Sequence, residues 1–260
     1  MPLHRTTDGT DLVCHSLGAG PNLLLLHGTS TDHTTWVPVQ SALAEHFRLS
    51  ILARRGRCGS GDFLPYALER EFEDVATLVD ALGGSVDIVG HSFGALCALE
   101  GALRTKNVRR LILYESPLPG AFPYWLDAMR DRMMPLLNAG QQEQALRTFL
   151  EGMLGLSQQE IEALQRLPNW PDRVSYAHTI ARELQALSEY SFDVARLRSL
   201  AAPTLLLLDQ VSPPMHRTIA EKFLASIPDC RVVELPGQGH LAIRFAPELV
   251  VPEVLKFLQD

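Results

Sequence analysis

Ser92 and His240 are the residues of this chain whose types and settings are best suited to covalent chemistry. Ser92 lies in GHSFG at 90–94, after the apolar segment SVDIV and before the apolar segment ALCALEGAL. These flanks predict a tight turn from a strand into a buried helix, in which the glycines give the crowded backbone room and the hydroxyl projects above the sheet. Ser92 is therefore predicted to be a nucleophile. The alternative interpretation is an ordinary turn serine.

A serine hydroxyl is a weak nucleophile near neutral pH, so Ser92 needs a base. His240 ends the segment GQGH at 237–240, which follows the predicted strand RVVEL and precedes an apolar turn and the last predicted helix. We expect this loop at the same edge of the sheet as the Ser92 turn, which makes His240 the predicted general base. His27 and His91 are interpreted as turn or packing residues. Further histidines have no motif context: His4, His15, His33, His46 and His216.

Negative charge that develops on a carbonyl oxygen must be held by preformed hydrogen-bond donors. The backbone N–H of Phe93, at the start of its predicted helix, supplies one donor, and the helix dipole favours negative charge there. The predicted strand NLLLL at 22–26 runs into His27, Gly28 and Thr29. The N–H of Thr29 is therefore predicted to be the second donor.

Short apolar runs alternate with helical stretches along most of the chain. Strands are predicted at 22–26, 48–52, 85–89, 109–114, 203–208 and 231–235. Several are continuous runs of Leu, Ile and Val, as expected for strands that helices cover on both faces. Helices are predicted at 36–46, 69–82, 95–104, 215–226 and 247–258. This alternation predicts an α/β protein with a mainly parallel sheet.

Residues 118–200 break this alternation and contain helical stretches instead of strands. Helices are predicted at 124–137, 141–154, 158–165 and 172–187, with prolines between them. Because ligands bind at the C-terminal ends of strands in open α/β sheets, we expect this segment to be a lid. The alternative is a structural elaboration of the fold. Candidate pocket residues, each of which could instead pack the lid onto the core, are Phe122, Tyr124, Trp125, Trp170, Tyr176 and His178.

The order of these motifs resembles that of the α/β-hydrolase family. In chain order, the motifs are HG at 27–28, RRGRCGSG at 54–61, GHSFG, PTLLLL at 203–208 and GQGH. The resemblance covers essentially the whole chain and implies a doubly wound, mainly parallel sheet, with an all-helical cap inserted after the strand that ends near Glu115. The core is expected at 1–117 and 201–260, and the cap at 118–200. The RRGRCGSG loop resembles a structural turn of this family, which argues against phosphate binding by its arginines.

The third catalytic residue departs from the family's usual pattern. Relatives commonly carry the acid as Gly-x-x-Asp after the strand that matches PTLLLL, but this chain has Asp209-Gln210-Val211-Ser212 there. Some relatives place the acid after the strand that follows the nucleophile helix, and this chain has Glu115 at that point. The resemblance therefore implies that Glu115 orients His240 and stabilises its charged form. Asp209 is the alternative acid, and a dyad without an acid is the third hypothesis.

Composition and cysteine spacing exclude several classes of protein. The net charge is −7 and no basic cluster offsets it, so we expect no nucleic-acid partner. The N-terminus lacks the apolar segment of a secretion signal and the apolar runs are strand-sized, which predicts a cytoplasmic protein without membrane attachment. No CxxC or Cys/His spacing is present, so we expect reduced cysteines, no metal and no cofactor. Cys58 stands at a position of the family turn where glycine is usual. Its alternative interpretation is that its thiol is reactive.

These expectations combine into one leading hypothesis and two alternatives. The leading one is a serine hydrolase that cleaves a carboxylic ester, lactone or thioester of a small, largely apolar substrate through a Ser92 acyl-enzyme. The first alternative uses the same triad as a C–C bond hydrolase, perhydrolase or cyclase. The second is a non-catalytic ligand-binding protein on the same frame. A homodimer that uses the N-terminal third of the cap is left open.

Overall fold

A computed structural model describes residues 3–120 and 124–260, together with the backbone of Pro123. The described residues form an eight-stranded sheet with the strand order β1-β2-β4-β3-β5-β6-β7-β8. The strands are β1 Leu3–Arg5, β2 Asp11–Leu17, β3 Asn22–Leu26, β4 Arg48–Leu52, β5 Val86–His91, β6 Val108–Tyr114, β7 Thr204–Asp209 and β8 Cys230–Leu235. Strands β3 to β8 pair parallel with one another, while β2 pairs antiparallel with both β1 and β4. The predicted fold class is confirmed.

The two strands at the antiparallel edge were absent from the sequence-based prediction. In β2 three consecutive residues are buried, but the strand also carries His15 and Ser16 and ends exposed. It therefore lacks the run of four leucines that marks β3 and β7. Strand β1, at the edge of the sheet, has only three residues, and none of them is fully buried.

Helices flank the sheet, and several of their boundaries lie within two residues of the predicted ones. The α-helices are α1 Val37–Ala44, α2 Leu68–Leu82, α3 Phe93–Ala102, α4 Pro123–Asn138, α5 Gln142–Gly152, α6 Gln158–Gln165, α7 Trp170–Ser175, α8 Ala177–Glu189, α9 Pro214–Ser226, α10 Ala242–Phe245 and α11 Pro247–Gln259. The single helix predicted at 172–187 is wrong, because the described chain has α7 and α8 with a break at Tyr176. Two 3₁₀ helices, His33–Trp36 and Val194–Ser199, complete the described set.

Close packing fixes α3 against the sheet and against α2. All residues of α3 are buried, and a Cβ placed on Gly101 would lie 2.4 Å from the Val75 side chain of α2. Helix α2 buries Phe72, Val75 and Leu78 at helical spacing. Since α3 begins directly after Ser92, this packing fixes the position of the turn that carries the predicted nucleophile.

The chain divides into two compact units. The first comprises Met1–Gly28, Asp32–Pro117 and Asp193–Asp260, and the second comprises Thr29–Thr31 and Leu118–Phe192. In the second unit, α4 packs against α5 and α8. The 3₁₀ helix Val194–Ser199 packs against α9 and so belongs to the first unit. Among the described residues, no helix combines the length and the apolar character needed to cross a bilayer.

Candidate active site

Ser92 occupies a strained turn between β5 and α3. Its backbone torsions are φ 55° and ψ −125°, a region that residues with side chains seldom adopt. The Ser92 N–H donates a 2.8 Å hydrogen bond to the carbonyl of Tyr114 at the end of β6, and the Ser92 carbonyl accepts from the N–H of Ala95. Hydrogen bonds to neighbouring elements therefore hold the Ser92 backbone in a conformation that is unfavourable for a residue with a side chain.

The glycines of GHSFG allow backbone segments to approach the turn closely. A Cβ placed on Gly94 would lie 2.4 Å from the carbonyl oxygens of both Leu26 and His27, at the end of β3. A Cβ placed on Gly90 would lie 2.5 Å from the Cα of Ala95. Neither overlap can be relieved by a side-chain rotation, because the atoms that would be contacted belong to the backbone.

Glu115 and His240 form a buried hydrogen bond. His240 Nδ1 lies 2.5 Å from Glu115 Oε2, and the two side chains are 3% and 0% exposed. Glu115 follows the last residue of β6 with φ 48°, a second strained residue at this edge of the sheet. Its N–H donates to the carbonyl of Leu207 in β7. The structure thus brings together two residues that lie 125 positions apart in the chain.

The Glu115 carboxylate is held in its charged form. Burial by itself would raise its pKa, but the hydrogen bond from His240 and the electrostatic attraction of that side chain outweigh burial and lower the pKa of Glu115 below its ordinary value. The backbone N–H of Asp209 donates to the other oxygen, Oε1, at 3.1 Å. Both carboxylate oxygens therefore accept a hydrogen bond, and this fixes the plane of the group.

Asp209, the alternative acid, has different partners. Its two carboxyl oxygens lie 2.7 and 2.6 Å from the hydroxyl of Tyr114. Burial and the nearby charge of Glu115 raise the pKa of Asp209 to about 8, against the opposing hydrogen bond from Tyr114. Two adjacent buried carboxyl groups rarely both ionise. Near neutral pH this site therefore holds Glu115 as the carboxylate and Asp209 predominantly as the neutral acid.

His91 fixes the backbone of the loop that carries His240. Its Nε2 lies 2.9 Å from the carbonyl oxygen of His240, to which it donates. Burial, reinforced by His240, lowers the pKa of His91 to about 3, so its ring is neutral. The His91 ring also packs against Tyr114, with centroids 4.9 Å apart. Because His91 directly precedes Ser92, this contact joins the nucleophile turn to the histidine loop, a role beyond the packing assigned from sequence.

His216 is a site residue that the sequence analysis missed. It lies in the first turn of α9, with Nε2 3.9 Å from Glu115 Oε2 and its ring centroid 5.5 Å from that of His240. Burial lowers the pKa of His216 to about 4 despite the attraction of Glu115. The available signal was its place shortly after β7, four residues after Ser212. Glu115, His216 and His240 each have a potential metal-ligating atom within 4.8 Å of the other two. Glu115 and His240, however, already contact each other directly at 2.5 Å.

Arg54 and His27 order the backbone that follows β3. Arg54 donates from Nε to the carbonyl of His27 at 3.0 Å and from Nη2 to that of Gly28 at 3.1 Å, and it pairs with Glu71 at 2.9 Å. His27 is neutral, because burial and the nearby arginines lower its pKa. Its Nε2 accepts a hydrogen bond from the backbone N–H of Arg54. The Arg54 guanidinium also lies 4.5 Å from the ring centre of Phe93. Buried arginine is structural here, in keeping with the interpretation of the RRGRCGSG loop.

The N–H of Phe93 is one of the first N–H groups of α3, which have no acceptor inside the helix. A Cβ placed on Gly28 would lie 2.9 Å from the Cβ of Ser92, so the chain after β3 passes directly beside the nucleophile turn. Thr29, the other predicted donor, follows Gly28 and is half-buried. The oxyanion roles of Phe93 and Thr29 stay predictions.

The predicted cap residues differ in their settings within the second unit. Trp170 is buried and donates from Nε1 to Glu143 at 3.1 Å. His178 is exposed, and its Nδ1 donates to the carbonyl of Ser175 at 2.8 Å. These contacts occupy polar atoms that could otherwise have contacted a substrate.

The remaining cap candidates are aromatic. Tyr176 is buried at the break between α7 and α8, Trp125 is half-buried and Tyr124 is 89% exposed. Phe122 lies outside the described residues. Substrate binding by the cap residues stays a prediction.

Comparisons with known proteins agree with this architecture. The model of a family described as "Alpha/beta hydrolase family" matches residues 23–253. The chain is 25% identical to a pimeloyl-[acyl-carrier protein] methyl ester esterase of Nitrosospira multiformis, over 95% of this chain and 97% of that protein. It is 24% identical to a 2-(acetamidomethylene)succinate hydrolase of Mesorhizobium japonicum, over 93% and 89% respectively. The crystal structure of an alpha/beta hydrolase from Sphaerobacter thermophilus superposes with a TM-score of 0.80 at 31% identity, covering 99% of this chain and 100% of that one.

Proposed function

The chain belongs to the alpha/beta hydrolase family and is an enzyme of that family; from this premise we propose that it is a serine hydrolase of carboxylic esters, lactones or thioesters. The non-catalytic alternative is not retained. The observation that carries the proposal is the buried hydrogen bond between Glu115 and His240, beside the strained Ser92 turn. A base that is oriented by a carboxylate, next to a serine on a strand-to-helix turn, is the arrangement that nucleophilic acyl transfer requires.

The proton path follows from the contacts of His240. Its Nδ1–H donates to the Glu115 carboxylate, which leaves Nε2 with a free lone pair. In the proposed reaction, Nε2 takes the proton of Ser92 as the serine oxygen attacks the substrate carbonyl. The Phe93 and Thr29 N–H groups hold the oxyanion, and His240 then protonates the leaving alcohol or thiol. A water molecule, deprotonated by His240, releases the acyl group.

The bond class is proposed from the chemistry of the site and from its relatives. One relative is named as a methyl ester esterase and another as a hydrolase of a substituted succinate. Serine at position 92 favours an acyl-enzyme, whereas an enzyme that opens epoxides generally uses a carboxylate at that position. A small, largely apolar acyl group remains our proposal for the substrate, on the basis of the aromatic residues of the second unit.

The first experiment is labelling with a fluorophosphonate, followed by intact mass and peptide mapping. We expect one adduct per chain, on Ser92, and none in Ser92→Ala or His240→Ala. Ser199→Ala is the control, because it removes an exposed serine whose hydroxyl contacts only the carbonyl of Arg196 in the described part of the chain, and it should leave the adduct in place. Folded wild type without an adduct, or with an adduct that survives in Ser92→Ala, would refute the proposed mechanism.

The second experiment identifies the bond. Matched oxygen esters, thioesters and lactones with the same acyl group are compared by kcat/KM, with Ser92→Ala as the background. Turnover of an ester or thioester with a burst equal to the concentration of labelled sites supports the acyl-enzyme. Labelling of Ser92 without turnover of any member, but with cleavage of a β-diketone, would instead favour the C–C bond hydrolase alternative.

A further inference from the structure

We infer that Asp32, His33 and Cys58 form a binding site for a zinc-like divalent metal ion. Asp32 and His33 lie on the segment after β3, and Cys58 lies on the loop after the adjacent strand β4. One potential ligand atom from each side chain lies within 4.8 Å of the other two. Tetrahedral zinc, with bonds of about 2.0–2.3 Å, separates its ligand atoms by about 3.3–3.6 Å. Movements on the order of 1 Å would therefore complete the site.

Two buried polar atoms of the proposed ligands have no hydrogen-bond partner in the described part of the chain. Asp32 is 0% exposed, and its Oδ1 accepts from the N–H and the hydroxyl of Thr34 at 2.8 and 2.5 Å. Its Oδ2 is buried without a hydrogen bond to any described residue, and the same holds for Nδ1 of His33. The Asp32 Oδ1 atom lies 3.8 Å from His33 Nδ1, beyond hydrogen-bond distance. A buried carboxylate oxygen without a donor is unfavourable, and a bound cation would satisfy both atoms.

Cys58 supplies the donor that selects the type of metal. It is half-buried and forms no disulfide. Its φ is 46°, a conformation that favours glycine, so the thiol is present at a cost in backbone strain. Thiolate, imidazole and carboxylate are ligands that zinc takes together, whereas calcium and magnesium prefer oxygen ligands alone.

His15 supports the orientation of the imidazole ligand. Its ring stacks on the ring of His33, with centroids 3.8 Å apart and an angle of 8° between the planes. The stack fixes the plane of the His33 ring, as outer residues commonly do around metal ligands. Three protein ligands leave a fourth position for water. The cysteine spacing predicted no metal, but the pairing of β3 with β4 brings together ligands that are distant in the sequence.

Cobalt(II) binding to the chelator-treated full chain tests the inference. We expect one Co²⁺ per chain, with a thiolate-to-cobalt charge-transfer band in the near ultraviolet and intense visible bands of tetrahedral cobalt, both removed by added Zn²⁺. Cys58→Gly, which relieves the positive φ and should fold, is expected to lose the charge-transfer band and to bind Co²⁺ at least about 100-fold more weakly. Cys230→Ser, the matched control at the other half-buried cysteine, should keep the band.

The other ligands and the other cluster are tested in the same way. Asp32→Asn and His33→Gln should each weaken Co²⁺ binding at least about tenfold. His216→Asn should keep the charge-transfer band, because the cluster of Glu115, His216 and His240 contains no thiolate. The inference is refuted by the absence of the band in wild type, by its survival in Cys58→Gly, or by unchanged affinity in both the Asp32 and His33 variants. Circular dichroism confirms folding, and none of these measurements depends on hydrolase activity.

Discussion

Replacing Glu115 with glutamine removes the charge that faces His240 while keeping the size of the side chain. With both groups buried and in contact, their charge centres are about 4 Å apart when His240 becomes an imidazolium. At an effective dielectric constant of about 20, the attraction is about 4 kcal/mol. If the transition state loses this attraction, the rate falls by about 10³-fold. We therefore expect kcat to fall by about three orders of magnitude in Glu115→Gln.

The hydrogen bonds around Glu115 add a second effect in the same direction. The N–H of Asp209 needs an acceptor at Oε1, and His240 Nδ1 contacts Oε2. A glutamine has only one oxygen. If that oxygen accepts from Asp209, its NH₂ group faces His240 Nδ1 and requires the tautomer that carries its proton on Nε2. That tautomer cannot accept the Ser92 proton.

The assay compares Glu115→Gln with Asp209→Asn, using both kcat on the best ester of the panel and the rate of fluorophosphonate labelling. Asp209 is predominantly neutral near pH 7 because burial raises its pKa to about 8. Asparagine should therefore cost less than about tenfold in kcat. Circular dichroism and thermal unfolding establish that both variants are folded. A loss of about 10³-fold in Asp209→Asn, with less than about tenfold in Glu115→Gln, would refute the assignment of Glu115 as the acid.

Three further predictions concern residues around the site. The raised pKa of Asp209 means that its proton is kept by the folded state and lost by the unfolded chain as the pH rises from about 4 to about 8. Wild type should therefore lose at least about 1 kcal/mol more stability than Asp209→Asn over that interval, and equal urea midpoints at every pH would contradict this. His91→Phe removes the N–H that binds the His240 carbonyl, which should cost about 1–3 kcal/mol of stability and lower the labelling rate of Ser92. Unchanged stability and labelling would show that this bond does not position the loop. Arg54→Met leaves Glu71 buried and unpaired, so denaturant unfolding should show a loss of about 3–5 kcal/mol. Adding Glu71→Gln to Arg54→Met should restore part of the lost stability. A double variant that is no more stable than Arg54→Met would argue against the loss of the ion pair as the cause.

The amino-acid sequence by itself determined the fold class and the local setting of Ser92. Strands β3 and β7 each contain four consecutive buried leucines, so their composition reports their burial directly. The turn at 90–94 was predictable because its requirements lie within five consecutive residues. GQGH located His240 for the same reason, although its role as the base stays a prediction.

Only the tertiary structure distinguished the partners of His240. Glu115 directly follows β6 and Asp209 is the last residue of β7, and nothing in their local sequences decides between them. In the pairing of β6 with β7, Tyr114 lies opposite Leu207. This register allows the Glu115 carboxylate to accept hydrogen bonds from the N–H of Asp209 and from His240. The Asp209 carboxyl group contacts the hydroxyl of Tyr114 instead. His216, His91 and the cluster of Asp32, His33 and Cys58 became apparent in the same way. Contacts between distant residues depend on strand order and register, and these are set by the burial of the whole sheet rather than by the residues that they bring together.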